Sequence, residues 1–340
     1  MKRVAAVVGL ALVGGVVRSH VKVRDAVARV APELRSPVLP VVAGSLTAKK
    51  LRAFRLIFKV RTKPGPGVSV TERWIGEPSV RVLVFTPDQH AASRAAVLWI
   101  HGGGYVVGTP EFEASGTGRL VSDLGVVAVS PDYRLAPEHA FPAGLDDCMA
   151  ALRWMLANAD ELGIDPTRVA VVGASAGGGL AAAVAQRCHD EGIPLRAQVL
   201  VYPMLDDRCT LRSDHRGQGR FAWTPESNTF GWTAYLGRAP RMSDAPEYAA
   251  PARRVDLSGL APAWVGVGNL DVFHDEDVDY AARLKAAGVP CELVTVEGMY
   301  HGADGVRRRA PSMRAFRASL LEHLRTHLLA DGVRHLRAHL

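Results

Sequence analysis

The chain has 340 residues, 48% hydrophobic and 22% charged, so it is long enough to bury a sizeable core in one large or two medium domains. Its net charge is +7, but the basic residues are spread along the chain and form no dense block, which argues against a nucleic-acid partner. Cys148, Cys188, Cys209 and Cys291 show neither CxxC pairing nor Cys/His metal spacing, which excludes a disulfide framework and a zinc site and leaves buried free thiols.

The N-terminal stretch MKRVAAVVGLALVGGVVRSH sets Lys2 and Arg3 ahead of an uncharged run from Val4 to Val17. It begins like a signal peptide, yet no A-x-A-like site follows and the run is short for a bilayer span. An amphipathic or buried helix in a cytoplasmic protein is the favoured expectation. Export, or weak membrane association through this segment, stays open as the alternative.

From residue 80 onward short apolar runs alternate with helical patterns, which predicts a parallel sheet with crossover helices. The strands expected are VRVLVF (80–85), AAVLWI (95–100), GVVAVS (125–130), VAVVGA (169–174), AQVLVY (197–202), AWVGVG (263–268) and CELVTV (291–296). Near-continuous Val and Ile in several of them predicts burial on both faces. Between them FPAGLDDCMAALRWMLANA, GGGLAAAVAQRCHD, DEDVDYAARLKAAG and PSMRAFRASLLEHLRTHLL read as helices, and the tail predicts a surface helix carrying His323, His327, His335 and His339. Two segments break the rhythm: residues 1–65, and residues 205–250 with Phe221, Trp223, Phe230, Trp232 and Tyr235. Both are expected to lie over the sheet.

The stretch VVGASAGGG puts Ser175 between Gly173 and Gly177, on the turn from a strand into a helix. That is the context of a nucleophile elbow, G-x-S-x-G, and the helix N-terminus behind it favours an anion beside the serine. A Walker A loop is excluded because no GK[ST] follows, and a dinucleotide fingerprint is weakened by the missing acidic residue. The strand AAVLWI ends in HGGGYVVG (101–108), where three successive glycines expose backbone N–H groups with no Cβ in the way. Together the motifs describe an oxyanion hole and the nucleophile it serves. Such a serine needs a base and an orienting carboxylate. NLDVFHDED offers Asp271 and Asp275, and EGMYHGADG offers His301; Asp271, next to its strand, is preferred, since Asp275 opens a helix where it would serve as a cap.

The motifs WIHGGGYVVG, SPDYRLAPEHAFPAGLDD, GIDPTRVAVVGASAGG, VYPMLD, NLDVFHDE and MYHG follow in the order of one known family. Over residues 75–325 the chain resembles the hormone-sensitive-lipase-like branch of the α/β-hydrolases, the bacterial family IV esterases. The resemblance implies an α/β-hydrolase fold, with a mostly parallel central sheet flanked by helices and a helical cap. It implies Ser175 as nucleophile, Asp271 as acid and His301 as base, with the N–H groups of Gly103, Gly104 and Ala176 as the oxyanion hole. His101, Tyr133, Arg134 and Glu138 are implied to hold the oxyanion loop in shape. The expected division is an N-terminal cap portion (1–65), a catalytic domain (66–204 and 251–340) and a cap insertion (205–250). The sequence departs from the family pattern at Ala174, where Asp or Thr is usual, at His274, where Arg is common, and at Ala303, where Phe is usual.

The expected activity is hydrolysis of short- to medium-chain carboxylic esters through an acyl-enzyme, with a small-molecule ester as partner and no cofactor or metal. An amidase or deacetylase, or a membrane-associated lipase, would use the same triad, and a non-catalytic ligand receptor on this fold is a further alternative. Homodimerisation stays open.

Overall fold

The computed structural model describes residues 24–89 and 93–329. The signal-like run at the N-terminus and His335 and His339 lie outside the described residues. Eight strands form one sheet: β1 (Val68–Ile75), β2 (Val80–Pro87), β3 (Arg94–Ile100), β4 (Val127–Pro131), β5 (Ile164–Ala174), β6 (Ala197–Val201), β7 (Ala263–Gly268) and β8 (Cys291–Val296). Their order is β1-β2-β4-β3-β5-β6-β7-β8. β1 pairs with β2, and β2 with β4, in antiparallel fashion; every other pairing is parallel.

All seven expected strands are present. β1 was not expected, because VSVTERWI buries only its two end residues and presents the rest to solvent from the edge of the sheet. A strand of that kind has no apolar run to mark it.

The helices of eight residues or more are α1 (Leu51–Phe58), α2 (Pro110–Leu124), α3 (Ala143–Ala157), α4 (Ala176–Asp190), α5 (Pro225–Leu236), α6 (His274–Ala286) and α7 (Pro311–Leu324). Strand side chains alternate between two buried faces. Val82, Leu98, Val129, Val171 and Val265 lie in the core under α3, α4 and α6, whereas Phe85, Val97, Ala128, Val172 and Trp264 lie under α2 and α7. The fully buried β3 and β6, with the buried run 169–173 of β5, thus form the centre on which the site is built.

The sequence did carry the start signal of the unexpected α2. Thr109 caps it by accepting from the Phe112 N–H at 3.2 Å, and Pro110 occupies its first turn. Its inner glycines hid the helical period. Gly118 is needed there because a Cβ would lie 2.0 Å from the Pro64 carbonyl oxygen.

The two segments that broke the rhythm meet each other. Ala222 N–H donates to Val42 O at 2.7 Å, Leu46 N–H to Ser227 Oγ at 2.8 Å, and Thr224 Oγ1 to Ser45 Oγ at 2.9 Å. α5 starts from a Thr224 cap and ends at Gly237 in the left-handed region. Its Trp232 is fully buried beside Tyr105, which stacks on Tyr235 with centroids 3.8 Å apart.

The expectation of a solvated His323 is corrected. It is only 7% exposed, and burial pushes its imidazole down to about 4. All four cysteines are free; Cys148, Cys188 and Cys209 are buried and Cys291 half-buried. Among the described residues no helix is long and apolar enough to cross a membrane.

Candidate active site

β5 runs through the middle of the sheet and α4 begins two residues after it ends, so one residue must make the whole turn. Ser175 does so at φ 57° and ψ −123°, a conformation that costs an L-residue on the order of 1–3 kcal/mol. The flanking glycines are steric requirements. A Cβ on Gly173 would lie 2.1 Å from the Gly177 carbonyl oxygen, and one on Gly177 would lie 2.2 Å from that of Ile100. Backbone bonds from Ser175 N–H to Val201 O at 2.9 Å and from Met204 N–H to Ser175 O at 3.0 Å hold the turn against β6.

The loops after β7 and β8 carry the other two candidates, and they are cross-bonded. Asn269 N–H donates to Val296 O at 3.2 Å, Leu270 N–H to Met299 O at 3.1 Å, and Gly298 N–H to Asn269 Oδ1 at 2.8 Å. These bonds bring His301 over the carboxyl end of the sheet. Its Nδ1 lies 2.7 Å from Asp271 Oδ2 and its Nε2 lies 3.0 Å from Ser175 Oγ. An ionised carboxylate only accepts, so Nδ1 carries the proton and Nε2 is free to accept from the serine hydroxyl. The Phe273 N–H occupies the other oxygen of Asp271 at 3.1 Å, which leaves the fully buried carboxylate one orientation. Tyr202 and Phe273 flank the imidazole edge-on, at centroid distances of 4.6 Å and 5.3 Å.

Asp275 stands elsewhere. It takes bonds from Gln218 Nε2 at 3.3 Å and Arg212 at 3.2 Å and contacts His274 Nδ1 at 3.0 Å. The expected capping role is corrected: α6 has no side-chain cap, and Asp275 instead ties its first turn to residues 212–218.

The glycine loop after β3 adopts φ 125° at Gly103 and φ 59° at Gly104. A Cβ on Gly103 would fall 1.9 Å from Val107 O. Neither the Gly103 nor the Gly104 N–H has a partner among the described residues, and Ala176, the first residue of α4, has one of the helix's orphan N–H groups. The loop abuts the serine, since a Cβ on Gly102 would lie 3.4 Å from Ser175 Cβ. Trp223 closes its other side. Its ring occupies the place where a Cβ on Gly104 would be, 2.0 Å from Cη2.

The four residues expected to support this loop divide. His101 is fully buried, donates from Nδ1 to Gly102 O at 2.8 Å and stacks on Tyr133, whose hydroxyl donates to His101 O at 3.0 Å. Burial depresses the His101 pKa, which keeps the ring neutral. Glu138 acts at one remove, through Arg55, which also donates from Nε to Val106 O at 2.9 Å. Arg134 does not support the loop; it forks onto Asp147 of α3, with Nη2 2.8 Å from Oδ1. Of the departures from the family pattern, Ala174 is half-buried at the end of β5, Ala303 is fully buried and His274 pairs with Asp275.

Two half-buried carboxyls escaped the sequence reading. Glu113 of α2 accepts from the Gly102 N–H at 2.8 Å and from Trp99 Nε1 at 2.7 Å, which pins the base of the glycine loop. Asp304 accepts from the Tyr202 hydroxyl at 2.9 Å and so fixes the ring against His301. No motif marks either, and Glu113 lies on α2, the helix that was not expected. Among the described residues no group of three or more His, Cys, Asp or Glu side chains could hold a metal ion.

A mostly parallel sheet with a serine on a strand-to-helix turn at its carboxyl edge is the arrangement of an α/β-hydrolase. A family model described as alpha/beta hydrolase fold matches residues 97–304. The ethyl acetate hydrolase of Pseudomonas putida is 37% identical over 227 residues, 65% of this chain and 70% of that protein. The carboxylesterase NlhH of Mycobacterium tuberculosis is 37% identical over 247 residues, 70% of this chain and 76% of its own. The solved structure of a bacterial heroin esterase superposes with a TM-score of 0.82 at 34% identity, covering 90% of this chain and 100% of that one. The chain belongs to the α/β-hydrolase family, in the hormone-sensitive-lipase-like branch of carboxylic ester hydrolases.

Burial pushes the Glu113 carboxyl from the ordinary 4.5 up to about 7, against the pull of its two N–H donors. Between those values the folded state keeps a proton that the unfolded chain has lost, so this group makes stability fall as pH rises through the window. Glu113→Gln removes that slope. The unfolding free energy in urea, compared at about pH 4.5 and about pH 7, should change less than in the unsubstituted protein by about 3 kcal/mol. A constant offset from the lost acceptor is expected as well; equal slopes would mean that Glu113 titrates in the folded protein as it does in the unfolded chain.

Proposed function

We propose that the protein is a serine carboxylesterase that hydrolyses short- to medium-chain esters through an acyl-enzyme on Ser175. The observation that carries this reading is the unbroken pair of hydrogen bonds from Ser175 through His301 to Asp271, at 3.0 Å and 2.7 Å, beside a loop of free backbone N–H groups. Ser175 Oγ attacks the ester carbonyl as its proton passes to His301 Nε2. The charge that develops on the carbonyl oxygen meets the N–H groups of Gly103, Gly104 and Ala176, pre-aimed and costing no reorganisation. Asp271 stays ionised and stabilises the imidazolium. The alcohol leaves with that proton, and water repeats both steps to release the carboxylic acid.

Residues 205–250 and part of residues 1–65 are proposed as the cap over this site. Trp223 supports that assignment, because its ring lies directly against Gly104 of the proposed oxyanion loop. It is the side chain best placed to limit acyl length. Trp232, fully buried against Tyr105, has a packing role instead.

Ser175→Ala should lower kcat by a factor of about 10⁴ to 10⁶ with an unchanged circular dichroism spectrum. Retention of more than about a tenth of the activity would sink the mechanism. Asp271→Asn should cost about 10⁴ in kcat. Asp275→Asn, which breaks a partly exposed ion pair, should leave kcat within about threefold and cost at most about 1 kcal/mol of stability. The reverse ranking would move the acid to Asp275.

Across p-nitrophenyl esters from acetyl to palmitoyl, Trp223→Ala should raise the kcat/KM ratio of hexanoyl over acetyl by about tenfold. An unchanged ratio would leave Trp223 as core alone. Trp232→Ala should mainly destabilise, by about 3–5 kcal/mol in denaturant unfolding.

A further inference from the structure

Between Glu33 and Glu72 the chain contains no acidic residue and eight Lys or Arg. α1 lies in the middle of this stretch. Its inner stripe is well seated: Leu51 is buried, the Phe58 ring packs on Phe112 with centroids 4.5 Å apart, and Arg55 reaches Val106 O and Glu138. A surface helix of a globular protein should then turn polar groups outward. This one does not, since Leu56 is 69% and Ile57 57% exposed, and Val60 just beyond is 56% exposed. Around them Lys49, Arg52, Lys59 and Lys63 are exposed and carry no ion pair among the described residues.

We propose that the outer face of α1, with Leu56, Ile57 and Val60 set among cations, docks on an anionic lipid surface. Charge separates this occupant from the others. The chain's own N-terminal stretch carries Lys2, Arg3, Arg18, Lys22 and Arg24 and no acid before Asp25, so it is of the same sign as the patch. A second copy would bring the same cations against themselves. A nucleic acid would satisfy the cations but offers nothing to three exposed aliphatic side chains. An anionic bilayer supplies both needs, phosphates for the Lys and Arg groups and the acyl boundary for the apolar ones. Docking of this kind requires no catalysis, so it stands or falls separately from the esterase reading.

The test is co-sedimentation of the full chain with vesicles of phosphatidylcholine alone and with about one third phosphatidylglycerol. Binding to the anionic vesicles is expected to be at least about tenfold tighter, and to weaken at least about fivefold from about 0.05 M to about 0.5 M salt. The L56S/I57S/V60S variant should lose at least about tenfold in vesicle binding while hydrolysing soluble p-nitrophenyl butyrate within about twofold of the unsubstituted rate. The K49Q/R52Q/K59Q/K63Q variant should lose the preference for anionic vesicles, and it carries the test if the apolar variant does not fold. Undiminished binding by both variants would assign attachment to another segment and overturn the proposal. Equal binding to both vesicle types, no binding to either, or a dimer in sedimentation velocity that the apolar variant abolishes would overturn it too.

Discussion

The site depends on one steric constraint, the passage of the backbone from β5 into α4 through a single residue at φ 57°. That bend exists only where positions 173 and 177 carry no Cβ, because each faces a backbone carbonyl at little more than 2 Å from where the carbon would sit. The carbonyls facing Gly177 are those of Ile100 and His101, at the end of β3. The close packing that makes the bend therefore also brings the glycine loop beside Ser175. One contact assembles both halves of the proposed site.

Around that contact the fold uses buried and half-buried carboxyls as brackets for loop ends. Glu113 holds the Gly102 N–H, Asp271 holds the Phe273 N–H, and Glu276 accepts from the Leu205 and Asp206 N–H groups at 2.8 Å and 3.1 Å. Asp207, fully buried, forks with Arg253 and ties the start of the 205–250 segment to its end. Burial pushes Glu276 up to about 8 and Glu113 up to about 7, so these two brackets resist ionisation even while they accept backbone donors. Asp277 is different. It is fully buried with neither oxygen partnered among the described residues, and none of these contacts explains it.

Much of this was legible because the chemistry sits in short local motifs and the central strands are apolar on both faces. The turn at Ser175 and the loops bearing Asp271 and His301 each follow a short Val-containing strand, VAVVGA, AWVGVG and CELVTV. What stayed hidden depended on distant partners. β1 is an edge strand whose exposed residues carry no pattern, and Gly118 of α2 makes sense only once Pro64 is known to lie against the helix. His323 reads as a solvated helix residue, yet it is buried beside His327, with ring centroids 4.5 Å apart. Arg134 falls inside a motif tied to the loop but spends its donors on Asp147.

The cross-bonds between the loops after β7 and β8 have a mechanical consequence. Asn269, Leu270, Met299 and Gly298 rivet the two loops together, and a Cβ on Gly268 would lie 2.1 Å from Met299 O, so no slack separates them. A disturbance entering either loop is delivered to both. Asp271 and His301, 2.7 Å apart, are therefore held by one cross-bonded pair of loops, while Ser175 is clamped to β6. The proposed triad is thus supported from two sides, by the riveted loops and by β6, which meet across the 3.0 Å gap between His301 Nε2 and the serine oxygen.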